Sequence, residues 1–173
     1  MLKEAVPRLD RAGVMFKRGE PTVHVELESL ERSARRMKVE LIPAPVDGSD
    51  DIGAAMMRIA DAGGRGLVYL PHPLFFGQRQ QLAALSLRHR IAECAHAIDS
   101  ADAGALLAYA TDFSVLYRRA AGLVDRILKG ANPATIPVEQ ANVYEFVVNL
   151  QTARALGIEL PYSVHLQATR VIE

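Results

Sequence analysis

No sign of charge dominates this sequence: Lys plus Arg and Asp plus Glu stand at 20 each. That balance excludes a global basic field for nucleic acid or an anionic membrane, and there is no acidic tail. Cysteine is nearly absent, with Cys94 alone, so no intramolecular disulfide can form and pairing says nothing of redox compartment. No apolar stretch approaches the roughly 20 residues that span a bilayer, because Pro, Gly or charge interrupts each one. The chain is therefore expected not to be membrane-embedded. Met1-Leu2-Lys3-Glu4-Ala5-Val6-Pro7 carries charge at two positions and no continuous apolar core. It makes no secretory signal peptide, and the sequence as written is expected in the cytoplasm. Internal repeats and low-complexity segments are also missing.

What is present is core. Half of the 173 residues are apolar, enough for one compact unit and too few for two full ones. Strand-like and helix-like segments alternate from the start. Ala12 to Phe16 is a short apolar run, and Thr22 to about Met37 places Val23, Leu27, Leu30 and Ala34 at helical spacing. Val39 to Val46 predicts a second strand, which Pro43 and Pro45 push toward a sheet edge. Asp47 to Asp50 offers a turn and helix cap, and Gly63-Gly64 stops the helix that follows. Gly66 to Leu70 is a third strand, broken by Pro71-His72-Pro73 before a helix ending near His89. Ile91 to Cys94 and Ala105 to Tyr109 predict two more strands, and Asp112 to Lys129 a long helix with Leu116, Ala120, Leu123, Val124, Ile127 and Leu128 on its apolar face. Gly130 marks its end. A strand over 143–148 and a helix over 149–156 complete the pattern. Successive strand–helix units mean parallel strands with crossover helices, an α/β architecture.

In such sheets ligands sit beyond the carboxyl ends of the strands. That rule selects three loops: Lys17 to Thr22, Pro71 to Gln78 and Tyr109 to Asp112. The candidate ligand-binding residues are Lys17, Glu20, Pro71, His72, Phe75, Tyr109, Thr111 and Asp112. Each loop starts a helix whose exposed N–H groups suit a carboxylate, and Tyr109 or Phe75 suits stacking on an apolar portion. The plainer alternative is that Thr111 and Asp112 cap a helix while Phe75 and Phe76 are core.

Other chemistries are poorly supported. Cys94, His96 and Asp99 are by type a thiol, a base and an orienter, but their spacing has no geometric signature, and a lone cysteine in an apolar strand is ordinarily packing. Gly63-Gly64-Arg65-Gly66 lies before a strand instead of after one, which removes the phosphate-loop reading. The five histidines are scattered without metal-ligand spacing, and Asp50-Asp51 reads as a helix start. No metal, cofactor or catalytic activity is predicted.

One segment carries a resemblance. The run from Leu116 through Gly130, then Asn132-Pro133-Ala134, Ile136-Pro137-Val138-Glu139-Gln140 and Asn149 through Gly157, resembles the C-terminal signature of the solute-binding proteins of ATP-binding cassette importers. Members commonly end in such a helix, a Pro-Val-Glu-Gln strand and an Asn-Leu-x-Thr-Ala-x-Ala-Leu-Gly helix. Leu2 to Pro7, Leu70 to Phe75 and Ala168 to Glu173 are similar to further segments of that family. The resemblance departs at His72, often acidic in the family, at Ala110, where a Gly is usual, and over Glu93 to Asp99.

The resemblance implies a Rossmann-like, three-layer lobe of a type I periplasmic binding protein. Residues 1–95 with 143–173 would form the second lobe, and 96–142 a remnant strand and helix returning to a first lobe not contained in this sequence. It implies a small organic solute such as an amino acid, bound in an interlobe cleft, with an ABC permease as partner and a periplasmic or cell-surface location in full-length relatives. The rival expectation is a standalone remnant, an oligomerising module that exchanges the segment 104–130 between copies and retains no ligand.

Overall fold

A computed structural model describes residues 1–140 and 142–173. The expected range 96–142 therefore includes one position, 141, that lies outside the described residues. After a short helix α1 (Leu2–Ala5), strands β1 (Arg11–Lys17), β2 (Glu40–Val46), β3 (Gly66–Tyr69), β4 (Ala92–Ala95) and β5 (Leu107–Thr111) alternate with helices. These are α2 (Val23–Arg36), α3 (Asp51–Asp61), the pair α4 (Pro73–Gly77) and α5 (Arg79–Arg88), and α6 (Asp99–Asp102). Helix α7 (Phe113–Leu128) follows, and β6 (Tyr144–Asn149), α8 (Leu150–Leu156), α9 (Tyr162–Gln167) and β7 (Arg170–Ile172) close the chain.

The strands form one sheet in the order β2-β1-β3-β4-β5-β6-β7. The first five are mutually parallel, β6 runs antiparallel to β5, and β7 is parallel to β6. The two prolines do place β2 at an edge, where Pro43 and Pro45 lie opposite Val14 and Phe16 and no second neighbour asks for their missing N–H groups.

Two cores cover the sheet, which gives the expected three layers. One packs Ile52, Met56 and Ile59 of α3 and Leu82 of α5 on Met15, Leu67 and Tyr69. The other packs Ala5 of α1, Ala153 of α8 and Val164 of α9 on Leu107, Phe146 and Val148. Helix α3 approaches so closely that a Cβ on Gly13 would stand 2.3 Å from Ile59 Cδ1; glycine there is a packing requirement.

Three expectations need correction. Asp50 occupies the N-cap of α3 but makes no side-chain cap bond; Asp51 Oδ2 instead accepts from the backbone N–H of Asp47 at 2.7 Å. The Pro-Val-Glu-Gln run, Pro137–Gln140, is exposed and forms no strand; it pairs with none of the seven strands, and its backbone is left to solvent. The strand expected over 105–109 is displaced to 107–111, since Ala105 and Leu106 are spent entering the core from α6.

Of the expected crossover segment 96–142, β5 pairs within the sheet between β4 and β6, whereas α7 stands off it. None of the 16 residues of α7 is buried. Tyr117 is 73% and Leu128 81% exposed.

Candidate functional site

The crossovers change direction between β1 and β3, the adjacent strands that lead to opposite sides of the sheet. At their carboxyl ends Glu20 Oε1 stands 3.4 Å from His72 Nε2. His72 Nδ1 accepts the Leu74 N–H at 3.0 Å and caps α4. An accepting Nδ1 leaves the proton on Nε2, which donates toward Glu20.

Beside this point the ends of β3, β4 and β5 open into a cavity of about 810 Å³. Its walls come from Pro71 to Pro73 and Phe76 after β3, His96 to Asp99 after β4, and Thr111 to Ser114 with Tyr117 after β5. Glu145 completes it from β6, whose reversed direction brings its beginning to the end where the other strands finish.

The predicted residues divide. Pro71, His72, Thr111 and Asp112 line the cavity, and Glu20 reaches it through His72. Lys17 does not: its Nζ donates to Arg18 O at 3.1 Å. Phe75 is wholly buried, its ring 5.3 Å from that of Tyr69. Tyr109 stacks on Tyr144 with centroids 5.6 Å apart and rings 3° from parallel, and neither lines the cavity.

The expected carboxylate capture by helix N–H groups is narrowed at two loops. Of the three helix starts that face the cavity, α6 has no side-chain cap, whereas α4 and α7 are closed by their own side chains. His72 caps α4, and Asp112 Oδ1 accepts from Ser114 N at 2.8 Å and Val115 N at 3.2 Å at the start of α7. Beside the start of α6, what remains open is aromatic surface and two acidic groups. Phe76 is steadied by Arg79, whose guanidinium carbon lies 4.9 Å from the ring centroid. Phe113 and Tyr117, one helical turn apart on α7, hold their rings at 6.4 Å. Asp99 and Glu145 supply carboxylates. Both act on Arg170, but its guanidinium is already engaged by Asp102 through two bonds of 2.9 Å.

His96 completes the wall. It is half-buried, and burial pulls its pKa below the ordinary value, which favours a neutral ring. Phe76, Phe113, Tyr117 and Glu145 were missing from the sequence-derived set; His96 and Asp99 entered there only as a catalytic pair for Cys94. Cys94 packs with the α1 and α8 core, and burial pushes its thiol up to about 11, the opposite of what a nucleophile needs. Among the described residues no group of three or more His, Cys, Asp or Glu is placed to hold a metal ion, and no helix is long and apolar enough to cross a membrane.

A second concavity, about 590 Å³, lies at the opposite ends of the strands among Arg8, Arg65, Arg90 and Asp10. Helices α3 and α5 end there, and Arg65 and Arg90 follow those ends closely. Their charge answers the negative ends of the two helix dipoles.

Comparison with known proteins agrees with this architecture. The chain is 22% identical over 160 residues to a tyrosine-binding protein of Clostridioides difficile (strain R20291), which covers 92% of the chain and 46% of that protein. A conserved domain protein from Vibrio cholerae superposes with a TM-score of 0.87 at 24% identity, covering 98% of this chain and 57% of that one. An ABC domain from Streptococcus pneumonia, solved in complex with L-Trp, gives 0.87 at 19% identity over 99% and 58%. A ligand-free, open substrate binding protein with adhesive properties from Clostridium difficile gives 0.73 at 19% over 99% and 57%. The chain thus spans about half the length of these relatives. Its residues 1–172 match the model of the ABC transporter substrate binding proteins, a family of binding proteins and not of enzymes, and the chain belongs to that family.

Proposed function

We propose that this chain supplies one wall of a solute site in an importer of the ATP-binding cassette class, and that the solute is an amino acid with an aromatic or large apolar side chain. The observation that carries the reading is the cavity at the ends of β3, β4 and β5, where Phe76, Phe113 and Tyr117 stand with the carboxylates of Asp99 and Glu145. Aromatic rings stack on an apolar side chain, and the carboxylates answer an ammonium group. Because α4 and α7 are already capped, the solute carboxylate is left to donors other than those two helix starts. The tyrosine-binding and L-Trp-bound relatives support the same solute class. The permease is the partner this reading requires.

The test is ligand-induced thermal stabilisation, followed by calorimetry, with L-Trp, L-Tyr, L-Phe, L-Leu and L-Glu. Ligand at a hundredfold its Kd stabilises by about 2.7 kcal/mol, which reads as a clear rise in melting temperature. Stabilisation by the aromatic members and not by L-Glu is expected. Equal silence from all five at millimolar concentration sinks the reading.

A second reading has its own observation. Helix α7 carries Phe113, Tyr117, Val124, Ile127 and Leu128 in solvent, and apolar surface of that kind favours association. We propose that copies of the chain self-associate through α7. Light scattering that finds a monomer at all concentrations rejects it.

A further inference from the structure

Three buried side-chain polar atoms have no hydrogen-bond partner among the described residues: Ser86 Oγ, Glu93 Oε2 and His96 Nδ1. Glu93 and His96 both touch Tyr69, the last residue of β3, and Ser86 lies beside Glu93. The Tyr69 hydroxyl stands 3.1 Å from Glu93 Oε1 on β4 and 3.4 Å from Ser100 Oγ on α6. Its ring packs against Phe75 of α4 at 5.3 Å and meets His96 edge-on at 5.1 Å. Tyr69 thus touches both loops that form the cavity's inner wall while its hydroxyl is held from below.

We propose that Tyr69 and Glu93 are a positioning pair for the cavity, a proton-dependent tether that holds the β3–α4 and β4–α6 loops together beneath it. The effect on solute affinity rests on the reading of the cavity given above; the tether itself rests on the contacts just described.

The charge state of Glu93 decides how well the tether is satisfied. The carboxyl is 1% exposed. The groups that face it are Tyr69 from β3, Ser86 from α5 and, through the tyrosine hydroxyl, Ser100 from α6, with the Cys94 thiol next along its own strand. Ser86 is near enough to favour the charged form without completing a hydrogen bond. No cation is paired with Glu93 among the described residues. A neutral carboxyl suits this setting, because it carries no charge to solvate and its own O–H is available to a serine or tyrosine oxygen. An ionised one leaves Oε2 negative and without a donor. Burial accordingly pushes the carboxyl up to about 7. Above that pH the charge is relieved only by admitting water. A polar route runs past Tyr69 to His96, whose Nδ1 is unpartnered among the described residues and which lines the cavity. Water on that route separates the two loops.

Amide hydrogen exchange read by mass spectrometry, expressed as protection factors so that the intrinsic pH dependence of exchange is removed, tests the tether without any ligand. In the wild type, protection of 71–76 and 96–99 is expected to fall together as pH rises from about 4.5 to about 7, by up to about tenfold per pH unit, the slope for one linked proton, and to level off above that. Glu93→Gln keeps an oxygen for Tyr69 and has no charge to gain, so both loops stay protected at all pH values. Tyr69→Phe lowers protection of both loops at every pH and leaves β1 and β3 unchanged. Ser100→Ala, which spares the Tyr69–Glu93 bond, shows the wild-type pH step and serves should Tyr69→Phe fail to fold. A flat wild-type profile, an unaltered pH step in Glu93→Gln, or loops that respond separately each overturn the proposal. Calorimetry then reads the consequence: L-Trp affinity weakens as pH rises to about 7 in the wild type, then levels off, and shows no such step in Glu93→Gln. Should no aromatic amino acid bind the wild type, the solute reading fails, and the exchange result alone judges the tether.

Discussion

His72 and Glu20 join two strand ends across the point where the sheet reverses its crossovers, with Nε2 3.4 Å from Oε1. The same imidazole caps α4 through its other nitrogen. The two tasks separate by substitution. His72→Asn keeps a good capping acceptor and loses the Glu20 contact, whereas His72→Ala loses both. The cap is worth about 1 kcal/mol, and the partly exposed pair well under that. Denaturant unfolding is expected to rank wild type, then Asn close behind, then Ala lower by about 1 kcal/mol. An Ala variant as stable as wild type would show that the cap carries no weight.

Glu93 makes a prediction about global stability. Its folded-state pKa is raised to about 7 from an ordinary 4.5 by burial, so between those values the folded protein holds more protons than the unfolded chain. Stability from this group is greatest below pH 4.5 and declines as pH rises to 7, by at most about 3 kcal/mol, then levels off. Unfolding of wild type and Glu93→Gln at pH 5, 6, 7 and 8 isolates the effect. The difference between the two should shift steadily in favour of Gln up to pH 7 and then stop shifting. A constant difference contradicts it.

Gly13 lies under Ile59, with three Ile59 carbons at 2.3, 2.7 and 2.8 Å from the place a Cβ would take. Both atoms sit in the core, so neither has room to yield. Gly13→Ala is expected to destabilise by about 1–3 kcal/mol. Adding Ile59→Ala should recover part of that loss, a coupling that a double-mutant cycle measures directly. Purely additive losses would place the damage elsewhere.

Phe113 and Tyr117 line the cavity from a helix with no buried residue. Replacing either with Ala should leave the melting temperature nearly unchanged while weakening aromatic amino acid binding by about 1 kcal/mol, or roughly fivefold. Calorimetry and thermal unfolding on the same samples check both halves. Loss of stability with unchanged affinity would invert the assignment.

Much of the fold was legible because its signals are local. The apolar run Ala12 to Phe16, the prolines of β2 and the terminating Gly63 and Gly130 each act within a few residues. The strand-end rule also selected Pro71, His72, Thr111 and Asp112, which line the cavity. It missed Phe76 while choosing Phe75, because adjacent residues on a helix differ by about 100° in direction and only tertiary packing decides which one turns inward. It missed Glu145 for a deeper reason. Alternation marks a strand without giving its sense, and only because β6 is antiparallel does its first turnward end meet the carboxyl ends of the others. Tyr109 lies outside the cavity on the same account: its ring stacks on Tyr144, diagonal to it on that reversed strand. The helix N-termini were read as open because a capping residue and a ligand-facing one are of the same types; the bonds to Leu74, Ser114 and Val115 decide it.

Helix α7 has a mechanical meaning beyond its exposed surface. Its first turn is a wall of the cavity, and its 16 residues extend about 24 Å from there. With no side chain embedded in the body, the helix is held at its root, by β5 and the Asp112 cap. Any tilt of the helix about that root would carry Phe113 and Tyr117, and with them the cavity wall.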